Sequence, residues 1–452
     1  MKFTKFGKAL LLSALSAVVA LSITSCVRSY ATGYLYVTGT ITAQSTGNGI
    51  ISGFVVDHNT GKLNPIHGLP ISSGGANPVR AALITGSRFL YVLNRGTNAA
   101  GGSVCTTADP CQNANITEFS VGGNGILTAQ ETFYTQGINP FRLIADPTGN
   151  FILTLDHDAS DSAAYAGTTP TPANPNSCMQ ALGTSATSCG DVTIFQVNQT
   201  TGRLSLVVNA QVTAANGGAG LPYFPIPANP IDFTLASSSL LTISGTPATG
   251  DSAFPYQYNS STGQLTINQN SSQPLSIFEA TAIVNGSGYI YVLDNEGTDV
   301  PGSGATSQIL PFSIGSGGAL QAQTGGVVAD DPTLNNPIFL LVESKGKYLY
   351  VANQGNNTQG NNTESGYSGY VIDPSTHQLS FIAGEPFGSG SGPQCLVEDP
   401  SDQYVYSADA NDSFVTGRDV DPNSGVLRSL VSTSQFSLPG PATWCIMNGR
   451  TN

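Results

Sequence analysis

The sequence predicts an all-β protein, a seven-bladed β-propeller built from four-stranded antiparallel blades. Three short motifs recur in a fixed order: an apolar strand motif, a polar turn followed by Leu, and an Asn-Pro or Gly-Pro step. The chain also contains 52 Gly and 27 Pro, a content typical of a turn-rich all-β protein.

The strand motif begins with Tyr34-Leu35-Tyr36-Val37. It is rich in aromatic and β-branched residues, which favour strands over helices. Its copies begin at Tyr34, Phe89, Phe151, Tyr289, Tyr348 and Tyr404, with a degenerate copy at Ser239. The intervals between copies match a four-stranded blade with loops of variable length, so the motif predicts seven blades.

The turn motif follows each strand motif, as in Asn59-Thr60-Gly61-Lys62-Leu63. Glycine adopts the positive φ that a tight hairpin requires, and Leu begins the next strand. The Leu residues are Leu63, Leu127, Leu204, Leu265, Leu320, Leu379 and Leu427. His377 replaces glycine in the sixth copy, and we expect it to adopt a left-handed conformation.

The third motif opens the first strand of most blades. Its copies are Asn77-Pro78, Asn139-Pro140, Asn229-Pro230, Asn336-Pro337, Gly392-Pro393 and Gly440-Pro441. The last copy precedes a strand at the C-terminus, whereas the chain enters its first blade at a second strand. We therefore expect the C-terminal strand to complete the first blade and close the ring, which removes an exposed sheet edge.

These motifs resemble the YVTN-repeat, lactonase-type seven-bladed propellers, which include 6-phosphogluconolactonase and carboxymuconate cyclase. The resemblance covers nearly all of the chain after the N-terminal segment. It implies the propeller fold and suggests lactone hydrolysis, but the shared motifs are strand and turn positions and identify no catalytic residue. WD40 repeats are excluded because Gly-His and Trp-Asp signatures are missing from the sequence.

The N-terminus predicts export. Three lysines precede an apolar run that ends in Ile23-Thr24-Ser25-Cys26, which resembles a lipobox. We interpret residues 1–25 as a lipoprotein signal peptide, Cys26 as the lipidated residue, 26–33 as a linker and 34–452 as the propeller. The expected location is the bacterial cell envelope, in the periplasm or at the cell surface. A plain secretory signal, or an uncleaved signal anchor, is the alternative.

The other six cysteines fit an oxidising compartment. Cys105 with Cys111, and Cys178 with Cys189, are close in sequence and form the simplest pairs. Cys395 and Cys445 fall on the first strands of neighbouring blades, where a bridge would lock the ring closure. Metal binding through these cysteines is disfavoured because the sequence has no CxxC pair and only four histidines.

The charge of the chain disfavours one class of partner. The formal net charge is −13, and only 15 residues are Lys or Arg. Nucleic-acid binding requires clustered basic residues, so we expect no nucleic-acid partner.

The first strand of each blade should line the central channel. Three places after the residue that opens this strand, the sequence gives Arg80, Arg142, Asp232, Glu279, Phe339, Cys395 and Thr443. Arg80 and Arg142 would hold a carboxylate or another anion, and Asp232, Glu279 or His157 would act as general base on a water. The alternative is that the arginines and acids only neutralise each other.

A second set of polar residues closes the second strand of each blade, on the same face as the channel mouth. It comprises Asn94, Arg95, Asp156, Asp294, Asn353 and Asp409. They are candidate ligand-binding residues, although local turn hydrogen bonds explain such Asn and Asp residues more simply. Together with Asp232 and Glu279 they are also hard oxygen ligands for a possible Ca²⁺, but no loop has EF-hand spacing.

Two functions remain open. The first is a lipid-anchored propeller that binds a small molecule or a protein on its loop-bearing face. The second is a lactone hydrolase acting on a sugar or aromatic lactone outside the cytosol. The state of the arginines distinguishes them, since unpaired arginines and acids in one pocket would favour the enzyme.

Overall fold

The computed structural model describes residues 30–41, 48–84, 88–167, 169–213, 220–267, 272–275, 277–286, 288–295, 307–323, 325–355 and 364–449. The predicted signal peptide and the predicted lipidation site Cys26 lie outside these residues. The first strand begins at Ala31, so the propeller includes the end of the segment 26–33 that the sequence assigned to a linker.

The described chain consists almost entirely of strands. Blades 1 and 2 contain β1 (Ala31–Thr40), β2 (Asn48–Asp57), β3 (Leu63–Pro65), β4 (Ile71–Ala76), β5 (Pro78–Leu83), β6 (Phe89–Asn94), β7 (Asn115–Val121) and β8 (Leu127–Phe133). Blades 3 and 4, with their connection, contain β9 (Ile138–Ala145), β10 (Phe151–Asp158), β11 (Gly190–Val197), β12 (Leu204–Leu206), β13 (Asn209–Thr213), β14 (Gly220–Leu221), β15 (Phe224–Ile226), β16 (Pro230–Ala236), β17 (Ser239–Thr246), β18 (Gly250–Tyr258), β19 (Leu265–Ile267) and β20 (Gln273–Pro274).

The remaining strands complete the ring. Blades 5 to 7 contain β21 (Ala280–Gly286), β22 (Tyr289–Asp294), β23 (Gln308–Ile314), β24 (Leu320–Ala322), β25 (Val328–Ala329), β26 (Pro337–Val342), β27 (Tyr348–Asn353), β28 (Gly366–Ile372), β29 (Leu379–Phe381), β30 (Phe387–Gly388), β31 (Pro393–Glu398), β32 (Tyr404–Asp409), β33 (Phe414–Val420), β34 (Leu427–Ser429) and β35 (Gln435–Ser437). The last strand, β36 (Ala442–Gly449), belongs to blade 1. One short helix, α1 (Ser177–Leu182), lies in a blade 3 loop, and a 3₁₀ turn spans Ser316–Gly318.

The sheets form seven antiparallel blades, as the sequence predicts. Each blade follows one order, for example β5-β6-β7-β8 in blade 2. Six blades have five strands, whereas the sequence predicts four. In these blades the outermost strand is interrupted, and its two short pieces both pair with the third strand, as β3 and β4 do with β2.

The strand and turn motifs contact each other between blades. In blades 1, 2, 6 and 7 the second tyrosine of the strand motif donates its hydroxyl proton to the glycine carbonyl in the next blade's turn. Tyr36 bonds Gly125 at 2.8 Å, and Tyr350 bonds Gly425 at 2.7 Å. His377 has the expected positive φ of 57°, and its ring stacks on Tyr289. In these four blades the two motifs are therefore coupled, because the turn of one blade satisfies a buried hydroxyl of its neighbour.

The ring closes as predicted. β36 pairs antiparallel with β1, and Tyr406 of blade 7 donates a 2.7 Å hydrogen bond to Gly61 of blade 1. The Cys395–Cys445 disulfide joins β31 to β36. Seven apolar clusters lie between adjacent blades, so the core is a ring around the channel rather than a single centre.

Candidate functional site

The innermost strands present one tier of side chains to the channel. The pairing of these strands with the second strand of each blade fixes the register, with a bulge near the start of each innermost strand. In each innermost strand one residue pairs with the residue that closes the second strand, as Pro78 pairs with Asn94 and Pro140 with Asp156. The equivalent residues two places further on are Arg80, Arg142, Asp232, Ala282, Phe339, Cys395 and Trp444.

The predicted tier is wrong at two positions. Ala282 replaces Glu279, because blade 5 has no Asn-Pro step and the sequence offered no marker for its register. Trp444 replaces Thr443, because the first paired residue of β36 is Ala442 rather than the preceding Pro441. Thr443 instead meets the hydroxyl of Thr38 at 3.0 Å.

A cavity of about 220 Å³ lies inside this tier. Its lining comprises Arg80, Arg142, Leu143, Ile144, Asp232, Phe233, Thr234, Thr281, Ala282, Ile283, Val284, Ile338, Phe339, Leu340 and Trp444. Three of the five predicted catalytic residues, Arg80, Arg142 and Asp232, are therefore brought together. Glu279 and His157 do not line the cavity.

Arg142 and Asp232 form an ion pair. Nε of Arg142 donates to Oδ1 of Asp232 at 2.9 Å, and both side chains are mostly buried. The other oxygen of Asp232 accepts a 3.0 Å hydrogen bond from the Ile283 amide. Each oxygen of Asp232 therefore already accepts one hydrogen bond, one from Arg142 and one from the Ile283 amide.

Arg80 has a different environment. Its guanidinium carbon lies 4.0 Å from the centroid of the Trp444 ring, and Nη1 donates to the Val79 carbonyl at 2.7 Å. Among the described residues, no carboxylate forms an ion pair with Arg80. Burial, and then repulsion from Arg142, lower the pKa of Arg80, and Asp232 offsets this only in part. The cavity therefore contains a partly buried cation that forms no ion pair of its own among the described residues.

A third arginine, Arg95, lies near Arg142. Arg95 follows β6, and its Nη2 donates to the Cys105 carbonyl at 3.4 Å, while its Nε is buried without a hydrogen-bond partner. Burial and the neighbouring Arg142 lower the pKa of Arg95. The electrostatic field at the channel mouth is thus positive on the side of blades 2 and 3.

His157 lies beside this cluster but faces another partner. Its Nδ1 is 3.0 Å from Oδ2 of Asp158, and its ring packs at 6.4 Å from that of Phe141. Asp158 also accepts hydrogen bonds from Thr107 and Tyr165, at 3.2 Å each. Asp158 thereby joins the long loops of blades 2 and 3.

The residues that close the second strands are buried within their own blades. Asn94 bonds the Ser73 carbonyl and Asn115, both at 2.9 Å, and Asp294 accepts from Gln308 at 2.8 Å. The same placement holds for Asn353, bonded to Ser368, and for Asp409, bonded to Ser407 and Thr416. Local hydrogen bonding, the simpler of the two interpretations, describes their geometry, and none of them lines the cavity.

Asp156 belongs to a buried carboxyl pair. It lies opposite Asp191 in the register of β10 and β11, and both side chains are fully buried. The Thr193 hydroxyl is 3.2 Å from Asp156 and 3.3 Å from Asp191. Burial raises the pKa of Asp156 to about 7 and raises that of Asp191 well above its ordinary range, with repulsion from Asp156 as the second cause. The pair therefore holds a proton at neutral pH.

The oxygen ligands considered for Ca²⁺ are dispersed over separate blades. No group of three or more His, Cys, Asp or Glu in the described part of the chain is arranged to hold a metal ion. Within the same residues, no helix is long and apolar enough to cross a membrane.

All three predicted disulfides are present: Cys105–Cys111, Cys178–Cys189 and Cys395–Cys445. The first two staple the long loops that follow β6 and β10. Phe339, which the sequence placed in the tier, lines the cavity. The sequence analysis missed two residues of the site region, Trp444 and Asp191. The single Trp of the chain, on the closing strand, was the available signal for the first.

The fold and this cavity define a seven-bladed β-propeller with a ligand-sized site in its channel. Residues 315–446 match the family model described as lactonase, 7-bladed β-propeller. The resemblance to lactonase-type propellers that the repeated motifs predict is thereby confirmed. The matched stretch contains Phe339 and Trp444 but none of Arg80, Arg142 and Asp232.

Solved structures agree on the fold. A Bacteroides uniformis protein assigned as a 6-phosphogluconolactonase is 12% identical, with a TM-score of 0.64 over 92% of this chain and 99% of its own. A Bacteroides fragilis protein with the same assignment is 15% identical, with a TM-score of 0.61 over 92% and 98%. A periplasmic gluconolactonase from Pseudomonas aeruginosa is 15% identical, with a TM-score of 0.59 over 92% and 99%. No curated protein matches the chain significantly.

Proposed function

We propose that this propeller is an exported, lipid-anchored protein that binds a small anionic molecule in its channel cavity. The observation that carries the proposal is Arg80, a partly buried guanidinium that forms an ion pair with no described carboxylate. A bound anion would supply the missing counterion, and charge-assisted hydrogen bonds to arginine are strong when partly desolvated. Arg95, which forms no ion pair among the described residues, adds a second positive charge beside Arg142.

The compartment is part of this proposal. Three disulfides support an oxidising location, because such bonds persist outside the cytosol. Anchoring through Cys26 would hold the protein on a membrane of the cell envelope while its loop-bearing face stays accessible. Replacing Cys26 with Ala should release the protein from the membrane fraction. Its continued retention there would contradict the anchor.

Lactone hydrolysis is the second candidate. The family match over residues 315–446 favours it, and Asp232 provides one carboxylate in the cavity beside two arginines. As a general base Asp232 is poorly placed, because each of its oxygens already accepts a hydrogen bond and Oδ1 is tied to Arg142. Binding is therefore the better-supported function of the site.

The test is calorimetric titration of the purified protein with gluconate, benzoate and inorganic phosphate. Saturable binding of at least one anion is expected, and Arg80→Ala should weaken it at least tenfold. Arg203→Ala is the matched control, because Arg203 is an exposed cation paired with Glu131 on the outer surface. Equal affinity in wild type and Arg80→Ala would contradict the proposal. Hydrolysis of glucono-δ-lactone, measured in parallel, tests the second candidate.

A further inference from the structure

The cavity has two chemically different halves. In the tier around the channel, blades 2, 3 and 4 contribute Arg80, Arg142 and Asp232. Blades 5, 6 and 1 contribute only apolar or aromatic side chains at the same level, and blade 7 contributes the disulfide-bonded Cys395. One wall of the cavity is therefore charged and the opposite wall is apolar.

The apolar half is preformed by two aromatic rings. Phe339 and Trp444 pack edge to face, with centroids 5.2 Å apart. Ile338, Leu340 and Val284 also line the cavity and extend this apolar surface. Rigid aromatic walls bind the faces and edges of a planar apolar group at low entropic cost.

Uncharged hydrogen-bonding groups are scarce in the lining. The described lining contains two hydroxyl side chains, Thr234 and Thr281, and Thr281 already donates to the Pro337 carbonyl at 2.9 Å. A polyhydroxylated ligand would therefore find few side-chain partners for its hydroxyls, and each group left unsatisfied would cost about 1–3 kcal/mol. The cavity volume of about 220 Å³ corresponds to roughly seven waters, the scale of a one-ring ligand.

We propose that the preferred ligand of this cavity is a carboxylate attached to a single apolar ring, of the benzoate class, rather than a sugar acid. The carboxylate pairs with Arg80 at the charged wall, and the ring lies against Phe339 and Trp444. This inference rests on the proposed anion-binding function and names its ligand class.

Trp444 provides the direct measurement, because it is the only tryptophan of the chain and forms part of the wall. Titration with benzoate should change its fluorescence saturably, with an affinity at least tenfold higher than that of gluconate. Benzamide, which keeps the ring and lacks the charge, should bind at least tenfold more weakly than benzoate. Calorimetry provides a second readout that does not depend on the fluorophore.

A variant separates the ring contact from the charge contact. Phe339→Leu removes the edge-to-face partner while keeping an apolar side chain of similar length. It should weaken benzoate by about threefold or more and leave inorganic phosphate unchanged. Gluconate binding as tightly as benzoate, with both dependent on Arg80, would overturn the ring preference and leave the anion site standing. Loss of Arg80 dependence for every probe would instead overturn the anion site itself.

Discussion

The guanidinium of Arg80 lies over the indole ring of Trp444, 4.0 Å from its centroid. The two residues are 364 positions apart in sequence, yet they lie on adjacent inner strands, β5 and β36, because β36 completes blade 1. Ring closure therefore does more than protect a sheet edge. It supplies the aromatic surface that supports the only lining arginine without an acid partner among the described residues.

Replacing Trp444 with Leu should weaken anion binding by about tenfold, or about 1.4 kcal/mol. This lies within the range for a partly desolvated cation–π contact. Trp444→Phe keeps an aromatic face and should retain most of the affinity. Both are measured by calorimetry, since the fluorophore is lost. Unchanged affinity in Trp444→Leu would show that the ring does not support Arg80.

Removing the Tyr406 hydroxyl should destabilise the closed ring by about 1 kcal/mol, because the Gly61 carbonyl loses its buried donor. The matched control is Tyr291→Phe. The Tyr291 hydroxyl occupies the equivalent position before the His377 turn and is buried without a hydrogen-bond partner. Its removal should be neutral or stabilising. Chemical unfolding of Tyr406→Phe and Tyr291→Phe gives the comparison, and equal losses would contradict the role of the inter-blade bond.

The sequence located the strands because each motif has a local physical cause. Six of the seven strand motifs coincide with the first residue of a strand, and all seven turn-motif Leu residues begin one. Four of the Asn residues that open inner strands share a positive φ, between 51° and 58°, so the Asn-Pro step has one local geometry in these blades. Turn geometry and burial of alternate residues determine these positions within a few residues of chain.

The site was harder to predict because it depends on register and on contacts between distant blades. Where an Asn-Pro step marked the register, as before Arg80, Arg142 and Asp232, the inferred tier was correct. Blade 5 has no such step, so Glu279 was assigned to a position that Ala282 occupies. The pairing of Asp156 with Asp191 could not be predicted from the sequence either. A loop and a helix occupy the 32 positions between β10 and Asp191, so the sequence does not indicate which residues of β10 and β11 face each other.

The three disulfides should differ in their contribution to stability. The Cys395–Cys445 bridge closes a segment of 50 residues, whereas Cys105–Cys111 closes six. Loop-closure entropy gives about 4 kcal/mol for the first and about 2 kcal/mol for the second. Paired Cys→Ala variants in urea unfolding should therefore show the larger loss for the ring-closing bridge. A larger loss for the Cys105–Cys111 pair would contradict this order.

Asp156→Asn should change the dependence of stability on pH. Burial raises the pKa of Asp156 to about 7, so in wild type the stabilising contribution of the protonated pair is present below pH 4 and is lost as the pH rises towards 7. Asn cannot ionise, so the variant avoids this loss. The free energy of unfolding of the variant minus that of wild type should therefore be about 1–3 kcal/mol larger at pH 8 than at pH 4.

Asp421→Asn is the control for the pH experiment. Asp421 is partly exposed in a surface turn, and backbone hydrogen bonding from Asn423 lowers the pKa of Asp421. Its contribution is therefore present above its ordinary pKa and lost as the pH falls. Its replacement should give a weak effect of opposite sign. The same pH profile for both variants would show that the buried pair is not the cause.

Asp232→Asn distinguishes the two candidate functions of the cavity by the sign of its effect. Asp232 now neutralises Arg142 through the 2.9 Å ion pair. Without that negative charge, Arg142 would join Arg80 as a free cation, so benzoate affinity should rise severalfold. If Asp232 instead activates a water, the variant should lose lactone hydrolysis and gain no affinity.

Arg142→Ala provides the complementary measurement, because it leaves Asp232 as an unneutralised anion beside Arg80 and should weaken benzoate binding. A rise in affinity for Asp232→Asn together with a fall for Arg142→Ala is the combination that only the anion-binding arrangement produces.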